Sequence, residues 1–167
     1  MSHNGIFSPH LKERAGQIVK LLRRKKLTLV TAESCTAGLL AALLSKPDGA
    51  GDVLEGGFVC YSKEQKSVAL HVSPITLKEK TAVSSEVAEE MARGALKRST
   101  ATTAIAVTGV LGPKPDEDGN PVGLVYLSLC SISQQKTVRH QFGALSHEEL
   151  CARTLMAALD LLDQGGK

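Results

Sequence analysis

Three long stretches of the chain carry apolar residues at the spacing of amphipathic helices. Apolar positions three or four residues apart predict helices over residues 10–25 and 86–98 and in the stretch that follows Ser146. Ser84 or Ser85 can cap the start of the second helix. The residues expected to face the core are Leu11, Ala15, Ile18, Val19 and Leu22, then Val87, Met91 and Ala95, then Cys151, Leu155, Ala158 and Leu162.

Shorter apolar runs between these helices predict strands. They cover residues 27–32, 53–61, 102–108 and 124–132, and residues 138–142 alternate between core-type and polar positions as an outer strand does. The fourth run is continuously apolar, which indicates a strand covered on both faces of its sheet.

Two short helices and one irregular segment complete the predicted pattern. Helices are predicted over residues 37–44 and 63–70, and residues 71–81, which contain Pro74, are predicted to be irregular. The pair Gly56-Gly57 indicates a bulge or a close backbone approach in the second strand.

Helices that alternate with apolar strands are typical of a three-layer α/β/α sandwich, and the length predicts a single domain over residues 1–167. About five strands are indicated, in a mixed and mostly parallel sheet. The last two strands must pair antiparallel because only a short turn near residue 133 joins them. Ligands bind such sheets beyond the carboxyl ends of the strands, so the loops 32–36, 61–66 and 108–113 predict a site there.

Composition and charge exclude several classes of function. The formal charge of +3 is too small to indicate a nucleic-acid surface, and the basic run 23–26 lies at the end of a predicted helix, where cations are favourable. Aromatic residues make up only 3% of the chain, which argues against base-stacking platforms. No apolar run approaches the ~20 residues that span a bilayer, and residues 1–10 lack the apolar region of a signal peptide. We therefore expect a cytoplasmic protein with neither a membrane nor a nucleic-acid partner.

The cysteines and histidines show no metal-binding spacing. Cys35, Cys60, Cys130 and Cys151 form no C-x-x-C pair, and the histidines form no H-E-x-x-H pattern. We expect the cysteines to be small core residues in a reducing compartment, and nothing in the sequence specifies a metal or a cofactor.

Ser34 lies where the first strand turns into the next helix, a position at which backbone N–H groups are free to bind an anion. A serine there can be a nucleophile beside an oxyanion hole, or a simple helix cap. No G-x-S-x-G elbow surrounds it, so a lysine is the alternative base, as in serine–lysine hydrolases. Lys66 follows Tyr61 by five residues and can reach this loop, although Lys63 and Lys66 also fit a solvent-exposed helix face.

A glycine-rich loop follows the third strand. Gly109 and Gly112, within the segment Thr108–Pro113, allow backbone N–H groups to approach an anion, so the loop is either a phosphate or carboxylate cradle or an ordinary turn. It matches neither the Walker A motif nor G-x-G-x-x-G. The one S-x-x-K string, Ser133–Lys136, falls in the predicted hairpin turn away from this edge, and we attribute it to chance.

Four segments, taken in order, match motifs of one known protein family. Thr31–Leu40 reads T-A-E-S-C-T-A-G-L-L, close to a T-A-E-S-C-T-G-G-L-L signature, and Tyr61–Lys66 is similar to Y-S-N-E-A-K. Ala82–Ala92 is similar to A-V-S-E-E-V-A-x-x-M-A, and Val107–Gly123 to a T-G-I-A-G-P-G-G…P-V-G loop. On these motifs the chain resembles the CinA C-terminal domain family.

The resemblance implies a function. It points to a nicotinamide-nucleotide amidohydrolase in stand-alone form, which converts nicotinamide mononucleotide (NMN) to nicotinate mononucleotide and ammonia without a cofactor. It also implies a homo-oligomer with a mixed-sheet α/β/α fold. The alternative is a non-catalytic nucleotide-binding or regulatory module that uses the same pocket.

The resemblance also assigns roles to individual residues. Ser34 becomes the nucleophile and Lys66 its base, and Tyr61 orients Lys66 or holds the substrate. Glu33 positions the loop or a catalytic water. The implied substrate-binding residues are Cys35 and Thr36, whose N–H groups would hold the oxyanion, Thr108 and Gly109, which would bind ribose or phosphate, and Gly112. Arg153 is implied as a contact with the substrate or with a subunit interface.

The sequence departs from the family pattern at four places. Ala37 replaces a family glycine, Lys63 stands where the family usually has asparagine, and Val110-Leu111 replaces Ile-Ala. Lys114-Pro115-Asp116 replaces a run of glycines and adds bulk and charges of both signs where the phosphate would lie.

Overall fold

A five-stranded mixed sheet forms the middle layer of the molecule. The computed structural model describes residues 6–165. Residues 1–5, which belong to the N-terminal segment that lacks a signal-peptide pattern, and residues 166–167 lie outside the described part. The strands are β1 Leu29–Glu33, β2 Leu54–Val59, β3 Thr103–Gly109, β4 Leu124–Ser131 and β5 Gln135–Gln141. Their order is β2-β1-β3-β4-β5.

The sheet is half parallel and half antiparallel. Strand β1 pairs parallel with β2 and β3, whereas β3–β4 and β4–β5 are antiparallel. The mixed sheet and the antiparallel final hairpin are confirmed, and the predicted majority of parallel pairing holds only for the β2-β1-β3 half.

Six helices cover the two faces of the sheet. They are α1 Pro9–Arg24, α2 Leu39–Leu44, α3 Lys63–Leu70, α4 Pro74–Lys80, α5 Ser85–Lys97 and α6 His147–Gly165. Helices α1, α2 and α6 pack on one face, and α3, α4 and α5 on the other. The three-layer sandwich is therefore confirmed, and within residues 6–165 no helix is long and apolar enough to cross a bilayer.

The central strands are apolar on both sides because each face carries its own core. In β1, Leu29 belongs to the core beneath α1, α2 and α6, and its neighbour Val30 to the core beneath the other three helices. In β3 the same alternation separates Ile105 from Ala104. Every residue predicted for the buried stripes of α1, α5 and α6 is buried.

The glycine pair in β2 marks both a bulge and a close approach. The β1–β2 register shifts between Leu29, which faces Leu54, and Val30, which faces Gly56. A side chain at Gly57 would place its Cβ 2.5 Å from the Thr31 hydroxyl oxygen, so β1 and β2 can lie side by side here only with glycine.

The predicted irregularity of residues 71–81 is wrong, because Pro74 begins helix α4 rather than breaking one. The proline lies in the first turn, where its missing N–H is not needed. The Ser73 hydroxyl caps this helix by accepting from the N–H of Thr76 at 3.4 Å. Ser84, rather than Ser85, caps α5.

Candidate active site

The carboxyl ends of the three parallel strands open into a cavity of about 560 Å³. The predicted loops after β1, β2 and β3 all contribute to its wall, so the sheet topology brings them together as expected. Its lining residues are Ser34, Cys35, Tyr61, Ser62, Lys63, Glu64, Lys66, Ala82, Val83, Thr108, Gly109, Val110, Leu111, Gly112, Lys114, Asp116, Glu117, Asp118 and His147.

Ser34 and Lys66 meet at the floor of this cavity. The Lys66 Nζ lies 2.8 Å from the Ser34 Oγ, and the two residues are 1% and 7% exposed. Ser34 directly follows β1, and Lys66 lies in the first turns of α3. A side chain in a helix points back toward the helix N-terminus, and this direction carries the Lys66 amine to the end of the sheet.

The surroundings of Lys66 favour its neutral form. Its Nζ donates to the backbone carbonyls of Cys60 at 3.0 Å and Tyr61 at 3.2 Å, in addition to its contact with the Ser34 hydroxyl, and no carboxylate of residues 6–165 forms an ion pair with it. Burial lowers the pKa of Lys66 below its ordinary value of 10.5. A neutral amine has two N–H donors and one lone pair. The two carbonyls can take both donors and leave the lone pair directed at the Ser34 hydroxyl.

Glu33 holds the loop that presents Ser34. It is fully buried, and its Oε1 accepts from the Thr31 hydroxyl at 3.1 Å and the Ala41 N–H at 2.8 Å. Its Oε2 accepts from the Thr36 hydroxyl at 2.7 Å and from the N–H groups of Gly38 and Leu40 at 3.1 and 2.9 Å. The carboxylate thus ties β1 to the start of α2, and with five donors on two oxygens it is committed to this loop.

The loop after Ser34 leaves two backbone donors free. Within the described residues, the N–H groups of Cys35 and Thr36 have no hydrogen-bond partner. Ala37 keeps the chain in a left-handed turn with φ of 49°, and Gly38 follows with φ of 95°. Free N–H groups beside a nucleophile are the usual components of an oxyanion hole.

The neighbouring thiol does not compete with the hydroxyl as a nucleophile. Loss of solvation raises the pKa of Cys35 to about 12, so it stays protonated at neutral pH. Cys60 is fully buried, and burial raises its pKa as well. All four cysteines are free thiols. Residues 6–165 hold no group of three or more His, Cys, Asp or Glu side chains placed to bind a metal ion.

The other candidate residues divide between the cavity and the surface. Tyr61 lines the cavity with a side chain that is 71% exposed, and it contacts Lys66 through its carbonyl rather than its phenol. Thr108 and Gly109 also line it, but the Thr108 hydroxyl donates to the carbonyl of Ala82 at 2.8 Å. Gly112 lies in the wall with φ of 80°.

Two predicted binding residues lie outside the cavity lining. Thr36 is buried and its hydroxyl donates to Glu33. The Arg153 side chain is 52% exposed, donates to Glu149 at 3.0 Å and lines a separate groove between β5 and α6. The chain as described does not bring Arg153 to Ser34.

Sequence reasoning missed two parts of the cavity wall. His147, at the start of α6, lies within hydrogen-bond distance of the Leu111 carbonyl, 3.2 Å from it through Nδ1. The available signal was the antiparallel hairpin, because β5 returns the chain to the edge where β4 begins. The second part is Glu117 and Asp118, whose carboxylates form ion pairs with Lys63.

The fold and the site define an α/β/α sandwich domain with a buried serine–lysine pair at the carboxyl edge of its parallel strands. The model of the CinA C-terminal domain matches residues 11–165, and the chain belongs to that family, as its motifs indicated.

Solved structures and a curated relative agree with this membership. The competence/damage inducible protein CihA from Agrobacterium tumefaciens is 35% identical, with a TM-score of 0.92 and 100% of both chains covered. A CinA superfamily protein from Escherichia coli is 34% identical, with a TM-score of 0.89 over 98% of both chains. The CinA-like protein of Thermotoga neapolitana is 38% identical over 145 residues, which are 87% of this chain and 35% of that protein. The chain thus spans about a third of the length of the curated relatives it matches.

Proposed function

We propose that this chain is an amidohydrolase that converts the carboxamide of nicotinamide mononucleotide to the carboxylate of nicotinate mononucleotide, with release of ammonia. The observation that carries the proposal is the 2.8 Å contact between the Ser34 Oγ and a buried lysine amine that forms no ion pair with any carboxylate of residues 6–165. The substrate class comes from the family resemblance, and the cavity offers volume for a pyridine nucleotide.

Acylation uses each group of the site once. Ser34 attacks the carboxamide carbon while the Lys66 lone pair takes the hydroxyl proton, and the free N–H group of Cys35, which lines the cavity, stabilises the oxyanion. When the intermediate collapses, the C–N bond breaks and the Lys66 ammonium gives its proton to the leaving nitrogen, which departs as ammonia. A serine ester and a neutral Lys66 remain.

Deacylation repeats the same proton transfers with water. Lys66 takes a proton from the water that attacks the ester, and the resulting ammonium returns it to the Ser34 oxygen as the acid leaves. One water is consumed, and no cofactor enters the sequence. The cytoplasmic location and the homo-oligomer stay predictions of the sequence.

An ammonia-release assay on NMN tests the proposal with Ser34→Ala. The variant should lose activity by at least about a thousandfold while its thermal unfolding midpoint stays close to wild type. Ser45→Ala is the matched control, because the Ser45 hydroxyl only contacts the carbonyl of Ala42 at the end of α2. Full activity in Ser34→Ala would refute the mechanism. Calorimetric binding of NMN with no ammonia from the wild type would favour the non-catalytic nucleotide-binding alternative.

A further inference from the structure

An ion pair joins two distant parts of the chain at the cavity. The Lys63 ammonium, in the first turn of α3, lies 2.8 Å from the Glu117 carboxylate and 2.8 Å from the Asp118 carboxylate. These contacts, with Asp118 the stronger, raise the pKa of Lys63, so the lysine is a permanent cation. Lys63 lies three residues before Lys66, and residues at this spacing share one helix face. The ion pair therefore lies beside the serine–lysine pair, one helical turn away.

Both carboxylates belong to a pre-folded segment, residues 116–120, which we call the acidic strap. Asp116 folds it by accepting from the N–H groups of Asp118 at 3.0 Å and Asn120 at 2.8 Å. The Asn120 side chain then donates to the Thr81 hydroxyl at 3.1 Å and fastens the strap to the segment before α5. Asp116 is used inside the strap, whereas Glu117 and Asp118 extend to Lys63.

The charges of this wall do not cancel. One ammonium faces two carboxylates at Lys63, so the contact keeps an excess negative charge. Besides Lys66, which forms no ion pair within residues 6–165, the lining contains two lysines and four carboxylates. They are Lys63 and Lys114 against Glu64, Asp116, Glu117 and Asp118. A dianionic phosphate entering this wall meets repulsion from the strap and finds Lys63 already occupied.

We propose that Lys63 and the acidic strap determine how this site discriminates between phosphorylated and phosphate-free pyridinium amides. Lys63 is the cation that recognises a phosphate, and Glu117 and Asp118 occupy it until a phosphate displaces them. The strap thus weakens binding of a nucleotide relative to its nucleoside and leaves the chemistry at Ser34 untouched.

The test compares NMN with its phosphate-free nucleoside. This inference rests on the proposed function, so binding is measured by calorimetry in Ser34→Ala protein, where turnover cannot interfere. In the Glu117→Gln/Asp118→Asn variant the affinity for NMN relative to the nucleoside should rise by about five- to tenfold at low salt, and less at high salt. Adding Lys63→Gln to that variant should remove most of the gain, because the freed cation is then gone and only the relief of repulsion remains.

Controls separate this proposal from a general charge effect. Asp52→Asn removes an exposed carboxylate that pairs with Arg23 elsewhere on the surface, and it should leave the affinity ratio unchanged. If the double variant does not fold, the single variants Glu117→Gln and Asp118→Asn are compared instead, after thermal unfolding shows that each is folded.

An unchanged ratio in the strap variants would overturn the proposal, as would a gain that Lys63→Gln leaves undiminished. If both compounds bind with the expected ratios but the wild-type protein releases no ammonia from NMN, the proposed function fails. The proposed role of Lys63 and the acidic strap in binding would still stand. Failure of both compounds to bind wild-type protein would overturn both.

Discussion

Ser34 and Lys66 should behave as one catalytic unit in a double-mutant cycle. The perturbations are Ser34→Ala, which deletes the nucleophile, and Lys66→Met, which replaces the amine by an unbranched apolar side chain of similar length. Since the Lys66 Nζ contacts the Ser34 Oγ at 2.8 Å and no other side chain in the described part of the chain forms a hydrogen bond with this hydroxyl, either change disables the same step. The double variant should then be little worse than the more damaged single variant.

The structure sets the magnitude of the expected coupling. A positioned general base contributes about 10²–10⁴-fold, or roughly 2.7–5.5 kcal/mol of barrier. Loss of the nucleophile costs at least as much, so independent effects would multiply to about 10⁶-fold or more. For a single unit, the coupling energy instead equals nearly the whole of the smaller single effect.

The assay is kcat/KM for ammonia release from NMN at fixed pH, with Lys80→Met as the matched control. Lys80 lies in α4, with a side chain 53% exposed, and pairs with Glu86. Its replacement should leave kcat/KM within about twofold of wild type, as expected for an exposed ion pair whose lysine does not line the cavity. Additive losses in Ser34→Ala/Lys66→Met would show that the two side chains act in separate steps. Wild-type turnover in Lys66→Met would refute the base assignment.

Four further outcomes follow from the site. The value of kcat/KM should rise with pH through the lowered pKa of Lys66 and then level off, because only the neutral amine accepts the proton; a flat profile would contradict this. Between that pKa and 10.5 the unfolded chain binds one more proton at this lysine, so urea unfolding should show wild-type stability rising with pH more steeply than that of Lys66→Met. Ala37→Gly should raise the free energy of unfolding by about 0.5–1 kcal/mol. The change removes the strain of an alanine held in the left-handed region with φ of 49°, and the greater flexibility of glycine in the unfolded chain offsets part of that gain. A lower free energy of unfolding would show that Ala37 is not strained. Glu33→Gln should lower the free energy of unfolding by about 3 kcal/mol, because an amide cannot accept from all five donors, and an unchanged denaturation midpoint would show that the loop does not depend on this carboxylate.

The sequence was sufficient to predict the elements that form by local rules. Helix α3 has the predicted bounds, residues 63–70, and the continuous apolar run of β4 lies between two covered faces. The convergence of the loops at one edge also followed, because the carboxyl ends of parallel strands share an edge. The prediction of an irregular segment around Pro74 was wrong, because a proline can begin a helix as readily as it can break one. Which of the two occurs depends on contacts that the local sequence does not show.

Contacts between distant residues were beyond this reasoning. Lys63 and Lys66 lie one turn apart on α3, and which of them faces Ser34 depends on how the helix is placed against the sheet. The structure turns Lys66 inward and Lys63 toward the strap, so both lysines line the cavity in different electrostatic states. Arg153 illustrates the reverse case, because a position in the right helix did not bring its side chain to the same end of the fold.

The site combines features that a fold would avoid unless they served a purpose. An amine is buried with no carboxylate to neutralise it, an alanine is held in a left-handed turn, and two backbone N–H groups stay without partners in the described chain. Each of these raises the energy of the folded state, and Glu33 offsets part of it by fixing the loop with five hydrogen bonds. A carboxylate beside Lys66 would stabilise its charged form and remove the lone pair from the Ser34 hydroxyl. The ion pair at Lys63, one turn away on the same helix, shows that this cavity does contain carboxylates and that they contact the other lysine. The arrangement therefore keeps negative charge away from the one amine that the reaction needs uncharged.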